Sequence, residues 1–174
     1  MPGGARNLVL RAARHVARAA GVRGGARFDL IKRIPARSGL GGGSADAAAA
    51  IVAMDLLYGL GLGRSRRLAL AAEIGSDVPF AIFGGTALGL GRGERLARAR
   101  LAGPLRAVIA VPGWRISTAR AFAEMDRKNF VLTPWAAKLR LALRQAQSVV
   151  EIPKALDLGN SFEKVLGVHR TDFL

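Results

Sequence analysis

The chain has 174 residues, 51% of them apolar, enough for a sizeable core in a domain of ordinary size. Its formal charge is +15 and it holds no cysteine, which excludes disulfides, thiolate nucleophiles and cysteine-ligated metals. No uncharged apolar run reaches the roughly 18 residues of a membrane-spanning helix, so none is predicted.

Residues 6–20 read as an amphipathic helix, with Val9, Ala13, Val16 and Ala20 on one face and Arg11, Arg14 and Arg18 on another. Arg-rich as it is, this N-terminus has no continuous apolar segment, so a structural helix is preferred to a transit peptide. Gly21 stops the helix, and Gly24 and Gly25 make a turn. The stretch ARFDLIKRI, 26–34, alternates and predicts a strand ended by Pro35. A glycine loop follows, then a helix from about residue 45 to 58. A second helix is expected over about 64–74 with Leu68, Ala71 and Ala72 inward. GSDVPF, 75–80, breaks the pattern and starts a new element. IFGGTALGLG, 82–91, predicts a Gly-punctuated strand or hairpin, and LRAVIAVP, 105–112, a short apolar strand. STARAFAEMD, 117–126, opens with capping residues and predicts a helix. Thr133 and Pro134 give a strong start signal for another over 133–148. No repeat and no linker interrupts the chain, so it reads as one α+β unit.

Chemistry concentrates in two places. From Pro35 to Asp46 the chain reads P-A-R-S-G-L-G-G-G-S-A-D. Successive glycines permit positive φ and remove Cβ atoms, so amide N–H groups can converge on phosphate oxygens. A helix start adds unpaired donors and the positive end of a dipole. Ser44 either caps the helix or places its hydroxyl on phosphate or Mg2+. The pattern is neither a Walker loop nor a Rossmann fingerprint, and a structural turn is the alternative. The second place is Asp77, between a serine and a Val-Pro step, which is either a cap on the next turn or a catalytic carboxylate. A basic surface attracts polyanions of any kind. However, 22 glycines and Arg far above Lys resemble GC-rich coding bias, and the 6% aromatic residues are not interleaved with basic ones. Nucleic-acid binding is therefore not expected.

Taken together, IKRIPARSGLGGGSADAAAA and IGSDVPFAIFGGTALGLGRGERL closely resemble the GHMP kinase superfamily. Within it, the K-R-I-P lead-in, D-V-P-F and G-R-G-E-R-L resemble the kinases acting on 4-diphosphocytidyl-2-C-methyl-D-erythritol. NLVLRAARHVARAAG, ISTARAFAEMD and LGNSFE look similar as well, so the likeness runs from about residue 6 to 163. The resemblance implies transfer of the ATP γ-phosphoryl group to the substrate's 2-hydroxyl, in the non-mevalonate route to isoprenoid precursors. It implies ATP and Mg2+ as cofactors, a small-molecule substrate, no membrane, and a bacterial cytoplasm, with a plastid left open; the oligomeric state stays open. By the same similarity Pro35, Ala36, Arg37, Ser38, Gly39, Leu40, Gly41, Gly42, Gly43, Ser44 and Ala45 cradle the triphosphate, and Ser44 also touches the metal. Asp77 accepts or orients the hydroxyl proton. Lys32 matches a position at the cytidine end of the substrate, or is a solvated strand-end lysine. Asn7 matches a position near the adenine, or is a helix N-cap. Asp46 is expected to complement the helix dipole, Arg92 and Arg95 to be surface or structural residues rather than catalytic ones, and Trp114 and Trp135 to pack; His15 and His169 stand alone.

The family's fold would divide the chain into a partial N-terminal, ATP-binding domain over 1–100 and a partial C-terminal domain over 101–174. The first would be a ribosomal-protein-S5-domain-2-like half without its opening strands, the second the start of an α/β sandwich. The family's P-A-K-I-N-L-type lysine segment, G-Y-H-type segment and M-S-G-S-G-type motif have no counterpart here, and its second loop serine is Ala45. Expectations that follow are weak or no activity for the isolated chain, an unpaired sheet edge and self-association. Two other readings stay open: a kinase of the same superfamily for another small alcohol, and a non-catalytic basic module binding nucleic acid.

Overall fold

The structure is a computed structural model that describes residues 4, 7–36, 38–101, 109, 117–128 and 150–152. The chain forms two compact units, residues 1–97 and 98–174.

The first unit is a helical layer followed by one strand and the start of the next. Helix α1, Leu8–Ala19, is capped by Asn7, whose Oδ1 accepts from the Val9 N–H at 3.0 Å. Val9, Ala12, Ala13 and Val16 are buried, so the inward face is the predicted one with Ala12 in place of Ala20, which is exposed. Helix α2, Gly42–Leu57, is central and touches α1, α3 (Arg64–Ile74) and α4 (Val78–Phe83). Ala47, Ala48, Ala50, Ile51 and Met54 are its buried apolar residues; the alanines leave room for helices on several sides at once. On α3 the inward residues are Leu70, Ala71 and Ile74, whereas Leu68 and Ala72 are half-buried. Arg67 turns the face, because its guanidinium reaches the buried Asp55 of α2.

The strand predicted over 26–34 does not form: residues 22–33 carry no regular secondary structure. A strand requires a neighbouring backbone to complete its hydrogen bonds, and no described segment pairs with this one. Its alternation serves other contacts. Phe28 packs on the helical core, the Tyr58 hydroxyl donates to the Gly25 carbonyl at 2.7 Å, and Lys32 and Ile34 reach the start of α2. The predicted strand or hairpin over 82–91 also shifts, since Ile82 and Phe83 belong to α4. A hairpin follows, of β1 (Ala87–Leu90) and β2 (Arg95–Leu101), and β2 lies between β1 and a third strand.

In the second unit β3, Val150–Ile152, runs parallel to β2, pairing Ala99 with Val150 and Leu101 with Ile152. Helix α5, Thr118–Arg127, begins where predicted, with Ser117 Oγ accepting from the Arg120 N–H at 3.4 Å. Of the strand expected over 105–112 only Ile109 is described, exposed and without regular secondary structure, and the helix over 133–148 lies outside the described residues, as do Trp114, Trp135, His169 and the LGNSFE stretch. The mixture of helices with a small sheet is an α+β fold. Among the described residues no helix is long and apolar enough to cross a membrane.

Candidate functional site

The glycine loop folds into the N-terminus of α2. Gly41 is the N-cap, in the left-handed region at φ 69° and ψ 8°, and its carbonyl accepts from the Ala45 N–H at 3.0 Å. A side chain there would be strained, and this glycine brings the helix start forward from about residue 45 to Gly42. Gly42 sits tightly against its neighbours. A Cβ on it would lie 3.0 Å from Ile34 Cγ2 and 3.3 Å from Lys32 Nζ. No side chain caps the helix, so the Ser44 hydroxyl, in the first turn, is not spent on capping. The N–H groups of Gly42, Gly43 and Ser44 have no intrahelical acceptor and stand at the positive end of the helix dipole.

These groups border a cleft of about 540 Å³. Pro35, Ala36 and the run Ser38–Ser44 form one wall. Asn7, Leu8 and Val9, from the start of α1, and Leu30 and Lys32, from the irregular segment, form the rest with Asp46. The cleft thus gathers most of the residues singled out from the sequence. Arg37 lies outside the described residues. Ala45 and Asp77 are not among the lining residues. Asn7 does cap α1, yet only its side-chain oxygen is used for that, and the same residue lines the cleft.

Lys32 and Asp46, both lining the cleft, form an ion pair, their side chains 19% and 22% exposed. That removes the alternative of a solvated Lys32, and it corrects the expectation for Asp46, which does not complement the helix dipole from the first turn, because the helix begins at Gly42 and its first turn holds no acid. The pair joins residues 14 apart, across the whole loop, and no local signal in the sequence announces it.

Asp77 is exposed and precedes α4 in a right-handed conformation, φ −89° and ψ −11°. Its side chain makes no capping hydrogen bond, so the capping role lacks the contact that would define it. Helix α4 packs on α2, the helix that carries the loop. Away from the cleft, Asp55 is the buried acid that the sequence reading missed. Its carboxylate accepts from the Leu62 N–H at 3.0 Å and from Arg67 Nε at 2.6 Å. The backbone donor first, then the guanidinium, hold it below the usual carboxylate range against the opposing effect of burial. His15 is not alone either: its Nε2 lies 3.1 Å from Glu73 Oε2, between α1 and α3. Arg92 and Arg95 are exposed, as expected. Among the described residues no group of three or more His, Cys, Asp or Glu is placed to hold a metal ion.

Residues 7–85 match the family model described as the GHMP kinases N terminal domain. This segment is a GHMP kinase N-terminal domain. Among the curated relatives of this chain, 4-diphosphocytidyl-2-C-methyl-D-erythritol kinase of Salinispora arenicola is 54% identical over 70% of this chain and 39% of its own length. The protein of that name from Leifsonia xyli subsp. xyli is 48% identical over 73% of this chain and 42% of its own. The one from Pelotomaculum thermopropionicum is 42% identical over 95% of this chain and 56% of its own. A crystal structure of 4-(cytidine 5'-diphospho)-2C-methyl-D-erythritol kinase superposes with a TM-score of 0.60 at 35% identity, covering 95% of this chain and 58% of that one. The chain therefore spans about half the length of the relatives it matches, or less.

Proposed function

We propose that the chain carries the nucleotide-binding part of an ATP-dependent kinase that phosphorylates the 2-hydroxyl of 4-diphosphocytidyl-2-C-methyl-D-erythritol. The observation that carries this reading is the cleft. Unpaired N–H groups at a helix start, glycines that admit a ligand to the backbone, and a lysine meet in one concavity. That donor set fits a triphosphate tail. The relatives' shared name supplies the substrate. Residues 1–100 then act as the nucleotide-binding domain and 101–174 as part of a second domain.

In this reading Pro35 to Ala45 surround the phosphates, with backbone N–H groups near Gly42 donating to their oxygens. Asn7 borders the nucleoside end. Asp77 accepts the proton of the attacking hydroxyl or orients it; the new bond joins that oxygen to the γ-phosphorus as the bond to the ADP oxygen breaks. A Mg2+ ion would supply charge neutralisation at the phosphates. From this chain it would take the Ser44 hydroxyl. The compartment that fits is a bacterial cytoplasm.

The test is ATP-dependent thermal stabilisation, with and without Mg2+, followed by turnover on a panel of small alcohols including the cytidine substrate. Stabilisation by ATP that Gly42→Val abolishes supports the nucleotide cleft. Equal stabilisation in both proteins, or none in the unaltered chain, refutes it. Turnover favouring homoserine or mevalonate would move the chain to another substrate within the same superfamily.

A further inference from the structure

We propose that Asp46 is a positioning residue: its carboxylate holds the Lys32 ammonium against the start of α2, making that cation part of the cleft before any anion arrives. The inference rests on the reading of the cleft as a phosphate-binding site. A lysine beside Gly42 is a cation at the positive end of a helix dipole, and the surrounding chain is strongly basic. Left alone, its flexible four-carbon stem would carry the charge out to water. Asp46 opposes this. It projects from the second turn of α2, lies in the same cleft wall and is about as buried as its partner. An ammonium has three donors, so one bond to Asp46 leaves two for oxygens of a bound phosphate. Fixing the stem in the empty cleft also lowers the ordering cost at the moment of binding. The residue touches no reacting atom in this account and acts through Lys32.

The experiment uses the whole chain, inorganic tripolyphosphate and ATP as probes, and reductive methylation of lysines read by peptide mass mapping. Asp46→Asn should let Lys32 be methylated several-fold faster and weaken tripolyphosphate binding about fivefold, a coupling of the size contacting residues show. Asp46→Glu should restore most of both. In a Lys32→Met background Asp46→Asn should cost nothing further, which a merely structural role for Asp46 would not produce. Should Asp46→Asn fail to fold, the double variant, which leaves no orphaned charge, must bind tripolyphosphate as weakly as Lys32→Met. Unchanged methylation of Lys32, or tripolyphosphate binding that is equal or tighter in Asp46→Asn, overturns the assignment. So does a double variant that binds like the unaltered chain. The two failures separate cleanly. An unaltered chain that binds neither probe sinks the nucleotide reading and this inference with it, whereas binding indifferent to Asp46 sinks the inference alone.

Discussion

Gly42 and Asp77 put the two halves of the proposed chemistry on single residues. At Gly42 even a Cβ would press on Ile34 and Lys32, which would have to give way by a few tenths of an ångström. Gly42→Val should displace both and destabilise the fold by roughly 1–3 kcal/mol, as overpacking does. Chemical denaturation measures that loss, and a parallel melt with ATP should show no nucleotide-dependent shift. Asp77 differs, because it is exposed and makes no capping bond. Asp77→Asn should leave both stability and the ATP-dependent shift nearly unchanged. Where turnover is measurable it should fall by roughly 10²–10⁴, the worth of a positioned general base. A large drop in melting temperature instead would make Asp77 structural. Its candidacy was legible from D-V-P-F; its freedom from capping was not, because that depends on where the next helix turns.

At the scale of elements, α2 holds the first unit together, and its two ends do different work. The N-terminal end presents donors to the cleft, while the body buries Ile51 and Met54 among α1, α3 and α4. Ile51→Ala should cost roughly 2–5 kcal/mol in denaturant unfolding, the usual penalty for truncating a buried aliphatic residue. Near the C-terminal end Asp55 ties α2 to the turn at Leu62 and to Arg67 of α3. Its carboxyl titrates below the ordinary value of 3.8, so the folded state binds this proton less readily than the unfolded chain. The stabilisation is therefore complete above the unfolded pKa and fades as pH falls from about 4 through the depressed folded value. Acid unfolding of Asp55→Asn should lack that component, and curves that stay parallel to the unaltered chain below pH about 4 would show that Asp55 contributes none. Helices α1 and α5 were readable from their local side-chain caps, and α2 and α3 from local composition and spacing. The strand over 26–34 was misread for the opposite reason: alternation describes one chain, and a ladder needs two.

For the molecule as a whole, the formal charge of +15 bears on how anions approach. Electrostatic attraction to a basic surface is screened by salt. ATP affinity should therefore fall between low and high ionic strength by a similar factor in the unaltered chain and in Asp77→Asn, as titration calorimetry would read. A salt-insensitive affinity would place binding on local hydrogen bonds alone. What the amino-acid order determined by itself is the short-range part: glycines where backbone must be bare, Asn7 and Ser117 as caps, and the P-x-x-x-G-L-G-G-G-S and D-V-P-F patterns that resemble those of GHMP kinases. These depend on dihedral preference and on neighbours a few residues away, which a sequence displays directly. Only the tertiary structure decided which distant groups meet. Lys32 finds Asp46 across the loop, Asp55 takes Arg67 from the next helix, and His15 meets Glu73. Such pairs follow from how helices pack, and packing geometry has no one-dimensional signature.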